Sequence, residues 1–486
     1  MWQCPICEEK HESLCVCTRC GFDGSCDYET FATAFAVTGA RSICALQKEW
    51  QKKQGPQTAQ EWYQKAQKEN DLISYVKAVE LGYAPAQLWL GDCYYNGEGV
   101  KRDYAQAIKW YRKAAVQGDA KAENNLGTCY YWGHGVPQDY TQAVEWYRKA
   151  AERGDPDAQN NFGDCYYCGE GVERDYAQAV EWYCKAAEQG NAASQNSLGT
   201  CYYSGHGATQ DYAQAAEWYR KAAEQGNADA QYNLGACYYN GYGVERDHAQ
   251  AIEWYYKAVE RYRKAAVQGD AKAQNNLGTC YYCGHGVPQD YAQAVEWYRK
   301  AAEQGSAEAQ YALGNCYLSF SHGIELDFAQ AADWFHKAAE QGNAAAQNSL
   351  GTCYCDGKGM PQDFVEAAKW YRRAAEQGNA KAQNNLGHCY YNGKGVQRSY
   401  AQALEWYRKA VEQGNADAQC SLGDCYYYGK GVPRDYTQAV EWYRKAAEQG
   451  NAKAQRSLSQ CYYGGEGVEK NVIQGQYWAG KAKSIS

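Results

Sequence analysis

The sequence predicts an all-α solenoid of stacked helix–turn–helix copies, preceded by a small cysteine-rich module. Three observations predict it. A motif, Leu-Gly-x-Cys-Tyr-Tyr, recurs with small variations from first residues Leu90, Leu126, Phe162, Leu198, Leu234, Leu277, Leu313, Leu350, Leu386, Leu422 and Leu458. The composition is skewed as copying would skew it, with 47 Tyr, 23 Cys and 49 Gly against 8 Pro. The chain has 486 residues, more than one compact core usually serves.

The elements follow in chain order. Cys4-Pro5-Ile6-Cys7 and Cys17-Thr18-Arg19-Cys20 form two Cys-x-x-Cys knuckles within residues 1–30. Four thiolates paired in this way suit one tetrahedral Zn²⁺, and so short a segment buries too little core to fold without help. The expectation is a closed, structural, zinc-ribbon-like site on Cys4, Cys7, Cys17 and Cys20. Cys15 competes for a ligand position, His11 and Cys26 less so, and a disulfide or idle thiols are the plain alternatives. Residues 31–56 read as a linker. The solenoid occupies residues 57–486, and residues 57–83 form its N-terminal cap as two helices over 58–69 and 72–81.

One copy illustrates the local physics. Ala122, Leu126, Cys129 and Tyr130 share a helix face, and Gly133 and Gly135 then break the helix. Asp139 caps a second helix, with Gln142 placed as a capping box requires. Ala143, Trp146, Tyr147 and Ala150 share its inner face, and Gly154 ends it. The motif spacing is 36 residues, except for 43 between Leu234 and Leu277 and 37 between Leu313 and Leu350. Seven extra residues are about two helical turns, so they predict a longer second helix near 253–268. A single hairpin cannot cover its apolar face, whereas stacked copies can.

With Gly-x-Gly-Val and Ala-x-x-Trp-Tyr-x-x-Ala-Ala-x-x-Gly following each motif, residues 72–486 resemble the Sel-one-like repeat family (SLR), relatives of tetratricopeptide repeats. The resemblance implies a right-handed superhelix that serves as an adaptor or scaffold. Some cysteine-rich, secreted members carry a disulfide in every copy and are associated with penicillin binding or hydrolysis. Here each copy has one regular cysteine, at Cys93, Cys129, Cys165, Cys201, Cys237, Cys280, Cys316, Cys353, Cys389, Cys425 and Cys461, with no regular partner. Adjacent copies place these thiols about 10 Å apart, beyond disulfide reach. They read as small core residues in a reducing cytoplasm.

A net charge of −8 argues against general nucleic-acid affinity and against a basic membrane-surface protein. No apolar run approaches a bilayer span, and the N-terminus does not read as a secretory signal. No His-Glu-x-x-His, nucleophile elbow or phosphate loop is present. Ser74-Tyr75-Val76-Lys77 is a chance Ser-x-x-Lys. His134, His206, His285 and His322 share a turn position that reads as solvated. The expected activity is therefore non-enzymatic, with a protein or peptide as partner. A penicillin-binding type of hydrolase and nucleic-acid contact through the ribbon are the alternatives.

The candidate partner surface is the side of each first helix opposite Leu126. In the related solenoids that side lines a concave groove. An asparagine row runs through Asn124, Asn160, Asn196, Asn275, Asn348 and Asn384, and amides suit a peptide backbone. A tyrosine row includes Tyr131, Tyr167, Tyr203, Tyr239, Tyr282 and Tyr391, which offer rigid contact area. Between them lies a variable position, with Asp92, Thr128, Asp164, Thr200 and His388 among its occupants, where selectivity would reside. The competing explanation is that these rows are copied inter-repeat packing.

Overall fold

The computed structural model describes residues 2–3, 10–11, 58–69, 71–318 and 325–483. Near the N-terminus, β1 Trp2–Gln3 pairs antiparallel with β2 Lys10–His11, Trp2 opposite His11 and Gln3 opposite Lys10. Cys4, Cys7, Cys17 and Cys20, with their competitors Cys15 and Cys26, lie outside the described residues. Among the described residues everything else that is regular is helical, so the all-α expectation holds for the repeats.

The helices come in pairs. α1 Ala59–Glu69 and α2 Leu72–Glu80 form the cap. Then follow α3 Ala84–Asn96 with α4 Tyr104–Ala115, α5 Ala120–Trp132 with α6 Tyr140–Glu152, α7 Pro156–Cys168 with α8 Tyr176–Glu188, α9 Ala192–Ser204 with α10 Tyr212–Glu224, and α11 Ala228–Asn240 with α12 His248–Val267. The series continues as α13 Ala271–Cys283 with α14 Tyr291–Glu303, α15 Ala307–Leu318 with α16 Phe328–Glu340, α17 Ala344–Asp356 with α18 Phe364–Glu376, α19 Ala380–Asn392 with α20 Tyr400–Glu412, α21 Ala416–Tyr428 with α22 Tyr436–Glu448, and α23 Ala452–Gly464 with α24 Val472–Lys483. Two compact units result, Met1–Trp254 and Tyr255–Ser486. The division falls inside α12, which runs for 20 residues because it carries the seven-residue insertion. Among the described residues no helix is long and apolar enough to cross a membrane.

Local chemistry sets the helix ends. The Asp139 carboxylate accepts the backbone N–H of Gln142 at 3.0 Å, and Asp119 does the same for Ala122 at 2.9 Å. At α1, Thr58 and Glu61 exchange both bonds of a capping box. The second helices do not need the returning glutamine side chain. The N–H of Asp139 donates instead to the Tyr130 carbonyl at 2.9 Å, and the other copies repeat this bond, tying each turn to its first helix. Gly133 closes α5 in the left-handed region at φ 69°, where a side chain would be strained.

The core runs continuously within and between copies. Ala143, Val144, Tyr147, Ala150 and Ala151 of α6 pack with Ala158, Phe162 and Cys165 of the following α7. The recurrent Leu-Gly step of the motif has a steric reason. A Cβ on Gly127 would stand 2.6 Å from the Tyr147 ring, so only glycine lets the ring lie on the α5 backbone. The last copy breaks both halves of this rule together. Ser459 replaces the glycine, Ala479 stands where the ring would be, and the Ser459 hydroxyl donates to the Gly475 carbonyl at 2.7 Å.

Candidate functional site: the outer face of the first helices

Helical periodicity places the asparagine, variable and tyrosine rows on one face of each first helix, as the sequence implies. The structure also shows what each row already does. Asn161 donates to the Asn124 side chain at 2.9 Å, Asn233 to Asn196 at 3.0 Å, and Asn385 to Asn348 at 2.9 Å. Asn160 accepts from Ser194 at 2.9 Å, and Asn384 accepts from Ser421 at 3.2 Å. Asn275 lies half-buried beside Asn276. The row thus forms amide rungs between neighbouring copies.

The variable position has a structural duty. It accepts the hydroxyl of the core tyrosine from the second helix. Tyr147 donates to Thr128 at 3.2 Å, Tyr219 to Thr200 at 3.2 Å, and Tyr298 to Thr279 at 3.1 Å. Tyr183 donates to Asp164 at 2.6 Å, and Tyr407 is hydrogen-bonded to His388 Nδ1 at 3.0 Å. Variation there runs mainly among acceptors, because a buried hydroxyl needs one. Phe335, which has no hydroxyl, stands in the copy where Asn315 occupies the position.

Tyrosines of the outer row reach into the turn of the next copy. Tyr95 is hydrogen-bonded to His134 Nδ1 at 2.9 Å and Tyr167 to His206 Nδ1 at 3.1 Å. Tyr131 donates to Glu170, and Tyr427 donates to Glu466 at 2.6 Å. His134, His206 and His285 are therefore braces between copies rather than solvated residues, and His322 lies outside the described residues. His134 stacks on Tyr104 at 4.6 Å, His206 on Tyr176 at 4.6 Å, and His285 on Tyr255 at 4.3 Å. Burial holds the His134 imidazole below its usual range, with Arg102 adding to the effect.

Where the brace changes, the face opens. Tyr242 takes the turn position, and its ring stacks on Tyr212 at 5.1 Å and meets Tyr203 edge-on at 5.8 Å. Tyr203, Tyr239 and Tyr242 keep 36%, 45% and 37% of their surface exposed. Tyr131, Tyr167, Tyr282 and Tyr391 are half-buried. The exposed aromatic surface of the candidate row in the first unit is thus concentrated at Tyr203, Tyr239 and Tyr242.

Sequence reading missed one further set of contacts. In most copies a buried glutamine near the start of the first helix accepts from a glutamine that follows the second helix of the same copy, as in Gln189 to Gln159 at 2.8 Å and Gln225 to Gln195 at 2.7 Å. In one copy both partners have changed, and Arg153 meets the buried Glu123 at 3.1 Å. That paired change within one chain was the signal. The second-helix tryptophans also differ from a plain core stripe: most are half-buried under a stacked lysine, as with Lys149 4.1 Å from the Trp146 ring centre.

The repeat cysteines are buried, and all described cysteines are free thiols. Desolvation pushes the Cys129 and Cys201 thiols up to about 12, so they are poor nucleophiles. Among the described residues there is no group of three or more His, Cys, Asp and Glu able to hold a metal.

The Sel1 repeat model matches residues 50–71, 84–119, 120–155, 156–191, 192–227, 228–261, 271–306, 307–343, 344–379, 380–415, 416–451 and 452–484. Among solved structures, the chain is 42% identical to a protective antigen of uropathogenic Escherichia coli strains that displays an SLR fold. That likeness covers 88% of this chain and 87% of the antigen, with a TM-score of 0.45. It is 34% identical to a Sel1 repeat protein from Oxalobacter formigenes over 52% of this chain and 96% of that one, with a TM-score of 0.46. No curated protein matches the chain.

Proposed function

Because the chain belongs to the Sel1 repeat family, whose members typically serve as protein-interaction scaffolds, we propose that it is an adaptor holding an extended peptide or a helix of a partner protein. The contact surface is the outer face of the first helices. The observation that carries this reading is the aromatic patch of Tyr203, Tyr239 and Tyr242, which stays exposed while Tyr95, Tyr131 and Tyr167 are bonded into the next copy. Tyrosines of that kind supply contact area at low entropy cost.

A hydrolytic reading has less to draw on, because the regular thiols are buried and protonated. Affinity capture with the full chain and with a Tyr203→Ser/Tyr239→Ser variant, read by quantitative mass spectrometry, tests the proposal. Partners held by the parent and lost by the folded variant support it. Equal capture by both removes this patch from the surface.

For the N-terminal module, the zinc reading of Cys4, Cys7, Cys17 and Cys20 is likewise a proposal. The β1–β2 ladder brackets Cys4 and Cys7 in sequence, which suits a metal knuckle. Elemental analysis of the purified chain should find one zinc per molecule, and none would end that reading.

A further inference from the structure

Three copies carry aspartate at the variable position, and in each the core tyrosine hydroxyl binds the same oxygen. Tyr111 donates to Asp92 Oδ1 at 2.8 Å, Tyr183 to Asp164 Oδ1 at 2.6 Å, and Tyr443 to Asp424 Oδ1 at 2.7 Å. The second oxygen is treated differently. At Asp164, Oδ2 accepts the Asn160 amide at 3.0 Å. At Asp424, Oδ2 holds the Lys453 ammonium at 2.7 Å.

At Asp92 the second described bond, from Asn125 at 3.0 Å, also falls on Oδ1. The position equivalent to Asn160 is Leu88, which has no amide to give. The position equivalent to Lys453 is Lys121, whose side chain is exposed and whose charge acts on Asp155. Asp92 opens instead onto a depression of about 230 Å³ lined by Tyr95, Asn96, Tyr111, Asn125 and Thr128.

We propose that this depression is an anchor subsite of the partner surface and takes the cationic side chain, lysine or arginine, of an extended partner segment. The proposal rests on the scaffold reading and names the chemistry it recognises. The Lys453–Asp424 pair shows within the same molecule what this constellation accepts. The space is sized for a side-chain head rather than a folded element, and Tyr95 supplies an aromatic wall to a cation. Burial raises the Asp92 carboxyl above its usual range, with the Tyr111 and Asn125 bonds opposing that rise, so an incoming cation relieves a desolvated charge. The chain's net charge of −8 favours approach of a basic segment.

The test uses the full chain and two pools of fluorescein-labelled short peptides read by anisotropy. Both pools are randomised over Gly, Ser, Leu and Tyr, one with a central lysine and one with a central norleucine. The lysine pool should bind about tenfold tighter, the size expected for a charge-assisted hydrogen bond. Asp92→Asn should abolish that preference in a chain whose circular dichroism shows it still folded, with the new amide oxygen kept as a neutral acceptor for Tyr111. Leu88→Asn, which supplies the amide that Asn160 supplies to Asp164, should abolish it with the carboxylate retained. Equal binding of the two pools, binding of neither, or a lysine preference that survives both variants overturns the inference. If both pools bind alike and the Tyr203→Ser/Tyr239→Ser variant loses both, the scaffold reading stands and only the anchor fails. If neither binds, the capture experiment still judges the scaffold independently.

Discussion

Gly127→Ala tests the central packing rule, because two known effects oppose each other there. Alanine in a helix interior is favoured over glycine by about 1 kcal/mol. Against that, the new Cβ would stand 2.6 Å from two atoms of the Tyr147 ring. To restore ordinary contact the ring would have to retreat by about 0.8 Å. It has little room, since it is 3% exposed, packed among Ala143, Val144 and Phe162, and tethered through its hydroxyl to Thr128 at 3.2 Å. Overpacking of this kind costs about 1–3 kcal/mol, so a net loss of about 0–2 kcal/mol is expected after the helix gain. In a Tyr147→Ala background the clash is gone and the same Gly127→Ala change should stabilise by about 1 kcal/mol. The Ser459 and Ala479 pair is the natural form of that double variant. A repeat array unfolds in segments, so the readout should be local: amide hydrogen exchange in α5 and α6. If Gly127→Ala protects those amides in the parent chain, or if the sign does not reverse without the ring, the steric account is wrong.

Three further outcomes follow from the same contacts. Tyr183→Phe should cost about 1.5–3 kcal/mol because its hydroxyl serves the Asp164 carboxylate, whereas Tyr147→Phe, which loses a neutral partner, should cost about 1 kcal/mol; urea denaturation of the two variants compares them. Burial, with Lys453 next and against the pull of Asp424 and Asp417, holds His388 below its usual value, and its ring faces Tyr407 and Ser421. With the folded pKa depressed, the unfolded chain binds the proton first. The stability from neutral His388 is then present above about pH 6.5 and lost as pH falls toward the lower folded value. His388→Thr, the residue of several other copies, should flatten that acid limb in pH-dependent melting. Iodoacetamide under native conditions should label exposed Cys283 well before Cys129, whose thiol burial pushes up to about 12; equal rates by mass spectrometry would contradict the buried placement.

Much of this protein was determined by its sequence alone. Asp119 and Asp139 cap their helices, Gly133 takes the left-handed turn, and Leu126 and Cys129 are fully buried, because caps, glycine turns and a helical stripe act over a few residues. The repeat family was legible for the same reason, since eleven copies carry those local signals at one period. Tertiary structure decided the rest. Asn161 meets Asn124 and Tyr131 meets Glu170 only when neighbouring copies stack in register, and Arg153 meets Glu123 only when the two helices of one copy fold together, so residues that looked like an open surface became rungs and braces. Asp92, Asp164 and Asp424 are one residue type at one repeat position, yet their second oxygens have different fates because Leu88, Asn160 and Lys453 supply different neighbours. Periodicity fixes which face a side chain takes. The neighbouring copy's side chains determine whether that face is already occupied.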